Sequence, residues 1–102
     1  MANGSIMPFR PTGTVSAAAT VASMYVALAG GGDSVVVTNT TGSLAYVRFG
    51  SDANVVATVT DMPVLPNTRI MLGVNSIIGY AAVVLATGTG GVFFTRGDGS
   101  YL

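Results

Sequence analysis

The chain has 102 residues, half of them apolar, and its four arginines are balanced by four aspartates; it has no histidine, cysteine, tryptophan, lysine or glutamate. Charged residues make up 8% of it, against roughly 25% in ordinary soluble domains. This composition excludes a disulfide framework and a Cys/His metal site, leaves no side chain that titrates near neutral pH for acid–base or nucleophilic chemistry, and lacks the clustered Lys and Arg that nucleic acid requires.

The expectation is therefore a non-enzymatic protein without cofactor or metal. The length fits one domain. So low a charge predicts either a neutral Thr/Ser/Asn/Gly surface or an exterior covered by neighbours, and the second is favoured.

Residues 1–11 read as an extended N-terminal arm. Pro8 and Pro11 block a helix, and the apolar Ile6, Met7 and Phe9 fit a frayed terminus and docking on a neighbouring copy equally well. Residues 12–102 then form a single β domain. Runs rich in Val, Thr, Ile, Tyr and Phe between Gly, Asn and Asp clusters predict strands at residues 14–20, 24–28, 34–39, 45–50, 55–58, 69–72, 78–85 and 91–95. Their spacing is that of a sandwich or barrel. In residues 45–49, Ala45, Val47 and Phe49 share one face, and Tyr46 and Arg48 the other. The connector 39–43 suggests a hairpin between its flanking strands. Residues 80–85 are apolar on both faces, as in a central strand or one covered by another subunit.

Residues 11–32 and 70–95 are charge-poor, but glycines, prolines and polar residues interrupt both, so neither reads as a membrane span. A lone Arg10 before residues 15–26 is a weak imitation of a secretory signal.

The remaining motifs favour structural roles. Arg96-Gly97-Asp98 matches an integrin-read tripeptide but reads as a Gly-rich turn. Asn39-Thr40-Thr41 fits a glycosylation acceptor and reads as a loop. Asp52 and Asp61 read as turn residues rather than a catalytic carboxylate pair, and no compact Asp-rich loop suggests calcium. Gly30-Gly31-Gly32 lacks the Lys and helix of a phosphate loop. Arg48 and Arg69 lie in apolar strands, where they need a carboxylate such as Asp52 or Asp61, or a partner across a subunit boundary.

Between residues 34 and 98 the chain carries in order Thr38-Asn39, Tyr46-Val47-Arg48-Phe49-Gly50, Asp61-Met62-Pro63, Pro66-Asn67 and Gly97-Asp98-Gly99. On these it resembles a group of small tailed-bacteriophage virion proteins. The likeness implies a virion structural protein, a capsid cement or decoration protein, and carries over no functional residue.

These readings converge on an all-β, antiparallel β-sandwich of about eight short strands, with a jelly roll as the candidate topology. The expected partners are other copies, as a dimer or trimer, and a major capsid protein in the virion, with no nucleic acid and no membrane. Ile6, Phe9, Arg48, Arg69 and Tyr80 are the candidate interface residues. The rival is a tail-associated, host-attachment module that binds carbohydrate through Tyr25, Tyr46, Tyr80 and Tyr101.

Overall fold

Period-two runs of Val, Ala, Thr and Phe build eight strands: β1 (Arg10–Ala19), β2 (Met24–Ala27), β3 (Ser34–Asn39), β4 (Ala45–Gly50), β5 (Met62–Val64), β6 (Thr68–Gly73), β7 (Tyr80–Leu85) and β8 (Gly90–Asp98). The computed structural model describes residues 10–75 and 77–98. The strands form two four-stranded sheets, in the orders β1-β8-β3-β6 and β2-β7-β4-β5. All neighbours are antiparallel. First pairs with last, second with seventh, third with sixth and fourth with fifth; β8–β3 and β7–β4 contacts join these ribbons into sheets.

Each strand turns alternate side chains to a common core. Val35, Val37, Val92, Phe94, Ala17 and Ala19 come from one sheet; Ala45, Val47, Val64, Ala81, Val83 and Leu85 come from the other. Phe49 meets Phe94 edge to face across this core, with centroids 6.2 Å apart.

Where the chain crosses from β3 to β4, ladder hydrogen bonds end and backbone groups need other partners. Asn39, 1% exposed, provides them. Its Nδ2 donates to the carbonyls of Ser43, Val64 and Leu65 at 2.9, 3.1 and 3.2 Å. Its Oδ1 accepts from the Thr41 amide and hydroxyl at 3.0 and 2.7 Å. The Asn67 amide then donates to the Thr41 carbonyl. One side chain thus ties the 40–44 connection to the 65–67 connection.

The structure corrects four expectations. Residues 39–43 do not close a hairpin, since β3 and β4 lie in different sheets. Residues 55–58 are not a strand: Val55 and Ala57 alternate inward without a ladder partner, and the Ala57 amide donates instead to Ser23 Oγ. The fifth strand is Met62–Val64, containing Pro63. Proline is tolerated there because β5 is an edge strand that pairs only with β4. Finally, β8 runs on through Arg96, Gly97 and Asp98, so that tripeptide is strand and not turn. At the other end, β1 begins at Arg10 and pairs Arg10 with Asp98 and Pro11 with Gly97, two residues inside the expected arm. The rest of that arm lies outside the described residues.

Replacing Asn39 by Ala or Asp removes the Nδ2 donor from a buried site. Equilibrium urea unfolding should show a loss of about 2–4 kcal/mol for either variant; a loss under about 1 kcal/mol would mean that the tie is dispensable.

Candidate interaction faces

With the core consumed by the inward residues, the outward ones form two sheet faces. On the β2-β7-β4-β5 sheet these are Tyr25, Tyr80, Ala82, Val84, Tyr46, Arg48 and Pro63, by alternation and register. Tyr25 and Tyr80 meet edge to face at 6.1 Å. The β4–β5 connection, residues 51–61, lies over part of this face. Val55 and Ala57 pack with Ala82, Val84 and Tyr46 in a small second cluster. Gly50 admits Val55, whose Cβ would sit 2.9 Å from a Cβ placed there. The strap is held by the Ala57–Ser23 bond of 2.9 Å and by Asp61, whose Oδ2 accepts from the Thr58 amide at 2.7 Å. Asp61 also faces Arg48 Nε at 3.8 Å.

This explains why β7 is apolar on both sides. Its outer residues Ala82 and Val84 are buried by the chain's own strap, so no second subunit is needed to cover them. Val56 and Val59 point out from the strap and are exposed.

On the β1-β8-β3-β6 sheet the outward residues are Thr14, Ser16 and Ala18 from β1, Phe93 and Thr95 from β8, Val36 and Thr38 from β3, and Arg69 and Met71 from β6. Arg69 is the one charged side chain among these nine. Phe93 is 38% exposed. A depression of about 380 Å³ lies along Ser16 to Thr20 beside Phe93, and one of about 300 Å³ lies between Thr38, Thr40, Asn67 and Arg69.

Of the residues expected at an interface, the fold brings Arg48 and Tyr80 onto one face and sets Arg69 on the other. Ile6 and Phe9 lie outside the described residues. Arg48 has the intramolecular aspartate partner that one reading gave it, although the pair is long and the arginine side chain is 59% exposed. Asp52 is the turn residue expected of it, accepting from the Asn54 amide at 2.9 Å. Asn39 is buried and its amide nitrogen fully engaged, which closes it to a glycan.

Arg96 was hidden by its motif. It is 3% exposed and directs its fork at backbone carbonyls. Nε and Nη2 donate to Gly32 at 3.1 and 3.0 Å, Nη2 also donates to Asn75 at 3.1 Å, and Nη1 donates to Ile78. It ties the β2–β3 and β6–β7 connections to β8. Gly32 sits at φ 129°, and a Cβ there would run into the Gly97 carbonyl. A guanidinium held in this way is not presented to a receptor. Phe93 was legible in the alternation Val92-Phe93-Phe94-Thr95, in which one phenylalanine must face outward.

Among the described residues, no group of three or more acidic or metal-ligating side chains could hold a metal ion. Comparison with family models, curated proteins and solved structures finds no match.

The two arginines should respond oppositely to truncation. Arg48→Ala should change unfolding free energy by less than about 1 kcal/mol, since an exposed, long pair contributes little. Arg96→Met should cost about 3 kcal/mol or more, because it strands several carbonyls at once. Arg96→Lys should not restore the loss, because an ammonium lacks the planar fork. Thermal unfolding of the three variants checks this.

Proposed function

We propose that the chain is a jelly-roll β-sandwich serving as a structural protein of a tailed-bacteriophage virion, a cement or decoration protein that bridges subunits of the shell. The observation that carries this reading is the strand pairing. An eight-stranded antiparallel ribbon whose first strand pairs with its last, and so on inward, and which rolls into two four-stranded sheets, has the order of two Greek keys in a jelly roll, an architecture common among capsid domains. The likeness of residues 34–98 to small phage virion proteins points the same way.

The work is mechanical. Sheet faces of Thr, Ser, Val, Tyr and Phe can be buried against a shell with little desolvation cost, whereas unpaired Lys or Glu would carry a large one. The partners are a major capsid protein and other copies of the chain, and the location is the assembled particle. No reaction is assigned, since Asp52 and Asp61 serve turns and the buried arginine serves the fold.

The same architecture hosts lectin domains. Tyr25, Tyr46 and Tyr80 share one sheet face, which supports a second reading as a host-attachment module that binds carbohydrate.

Purified protein should co-sediment with shells of its phage and raise the temperature at which they come apart. Because little charge is available, binding should change less than about threefold between about 50 and about 500 mM salt. Failure to bind shells, with glycan-array binding that is lost in Tyr25→Ala, would move the assignment to the attachment module.

A further inference from the structure

We propose that the N-terminal arm of a second copy of this chain, its residues 1–9, docks as an added strand beside Arg48–Gly50 of β4, in the open half of the place that β5 begins to fill. The inference rests on the reading above that copies of this chain meet, and it names the contact.

β7 pairs with all six residues of β4, whereas β5 pairs only with Ala45, Tyr46 and Val47. Just before β5 the chain is held in a turn, in which the Asp61 amide donates to the Thr58 carbonyl and Asp61 Oδ2 accepts from the Thr58 amide. Among the described residues, the outer edge of β4 from Arg48 to Gly50 therefore has no ladder partner. The side chains beside it match this gap. Phe49, Ile70 and Leu72 point inward and pack on the core, yet all three are partly exposed. β6, which carries two of them, is the edge of the facing sheet and pairs only with β3. An extended segment laid along residues 48–50 gains ladder bonds from β4 and sets alternate side chains over these three. The opposite flank, between β1 and β2, is closed by its own chain. There Thr12 Oγ1 donates to the Gly31 carbonyl at 2.6 Å and accepts from the Gly31 amide at 3.0 Å. Gly13 lies so near Ala29 that a Cβ on it would come within 2.8 Å.

The sequence before β1 suits the gap. It carries Ile6, Met7 and Phe9, has no charged side chain, and includes Pro8, which a strand at a sheet edge tolerates. Chain geometry selects a second copy as the donor. β1 and β6 are the two edges of one sheet, so about three strand spacings, roughly 14 Å, separate them, and the facing sheet lies about 10 Å away. A copy's own arm would use about 17 Å, roughly five residues, on this crossing. That consumes residues 5–9, which include Ile6, Met7 and Phe9, and brings only Met1 to Gly4 to the gap. An arm that arrives from outside loses nothing to the crossing and sets its apolar residues against Phe49, Ile70 and Leu72. Each copy then gives one arm and receives one, so the contact closes as a reciprocal pair or as a ring.

Sedimentation velocity on the full chain from about 5 to about 500 µM should show association. Ile6→Asp combined with Phe9→Asp precedes β1, so the variant should fold, as circular dichroism will report, and it should associate at least about tenfold more weakly. The chain has no cysteine of its own, so a nitroxide on Ser5→Cys is unique. Mixed with isotope-labelled chain that carries no nitroxide, it should broaden the amide resonances of Phe49, Gly50, Ile70 and Leu72 most strongly. The broadening should vanish when the nitroxide chain also carries the two aspartates. A monomer throughout, association untouched by the aspartates, broadening strongest at another edge, or broadening seen only within a single labelled chain would each overturn the proposal. Shell co-sedimentation separates it from the virion reading: a wild-type chain that binds shells and shows none of this broadening sinks the inference alone, and arm exchange by a chain that ignores shells sinks the other.

Discussion

Six of the seven strand connections cross between sheets; only β4 to β5 stays within one. Each crossing breaks the hydrogen-bond ladder, and the backbone polar groups it frees must find partners or cost stability. The chain has no disulfide or histidine to secure these places and few charges to spend on them. Two buried side chains make the most of these bonds, beside contacts from Thr12, Thr40 and Ser43. Asn39 secures one end of the core, joining the connection after β3 to that after β5. Arg96 secures the other, joining the connections after β2 and β6. Around them, short backbone bonds finish the work: Leu85 to Thr20 and Ala86 to Leu44 at the Asn39 end, Leu28 to Gly79 and Val74 to Asp33 at the Arg96 end.

The strands were largely legible because their signal is local. Alternation in residues 34–39 and 45–50 marks two strands whose limits match β3 and β4. Residues 55–58 misled for an instructive reason. Val55 and Ala57 do alternate inward, but onto the outside of a sheet, and period two reports which side is buried and not whether a ladder partner exists. Pro63 argued against a strand and was accommodated because edge position is a property of topology. The roles of Asn39 and Arg96 were illegible for the same reason. A turn-forming Asn and an Arg beside Gly have ordinary local readings, and only the juxtaposition of connections far apart in sequence turns them into buried ties.

Low charge, and a strand apolar on both faces, point in the sequence to covering neighbours or to a central place in a sheet, and the fold divides these signs in two. The outer side of β7 is apolar because residues 51–61 of the same chain lie on it, so its Ala82 and Val84 say nothing about assembly. The β1-β8-β3-β6 face is a different case. Its exposed Thr14, Ser16, Ala18, Phe93 and Arg69 lie around a central strand whose outward Val36 is already buried by its neighbours.

The fate of the four arginines sharpens the argument. Arg96 is spent on the interior and Arg48 faces Asp61, while Arg10 stands opposite Asp98 at the start of β1. Arg69 is placed among the outward residues of the β1-β8-β3-β6 face. A surface that must remain wet and solitary is ordinarily protected by charge, and edge strands in particular by Lys, Pro or inward-pointing charge. Here β1 presents Thr14, Ser16 and Ala18 instead, with its irregularity confined to the Pro11/Gly13 end. Each sheet thus turns one arginine outward, Arg48 on one face and Arg69 on the other, and what little charge the strands carry is divided between the two faces.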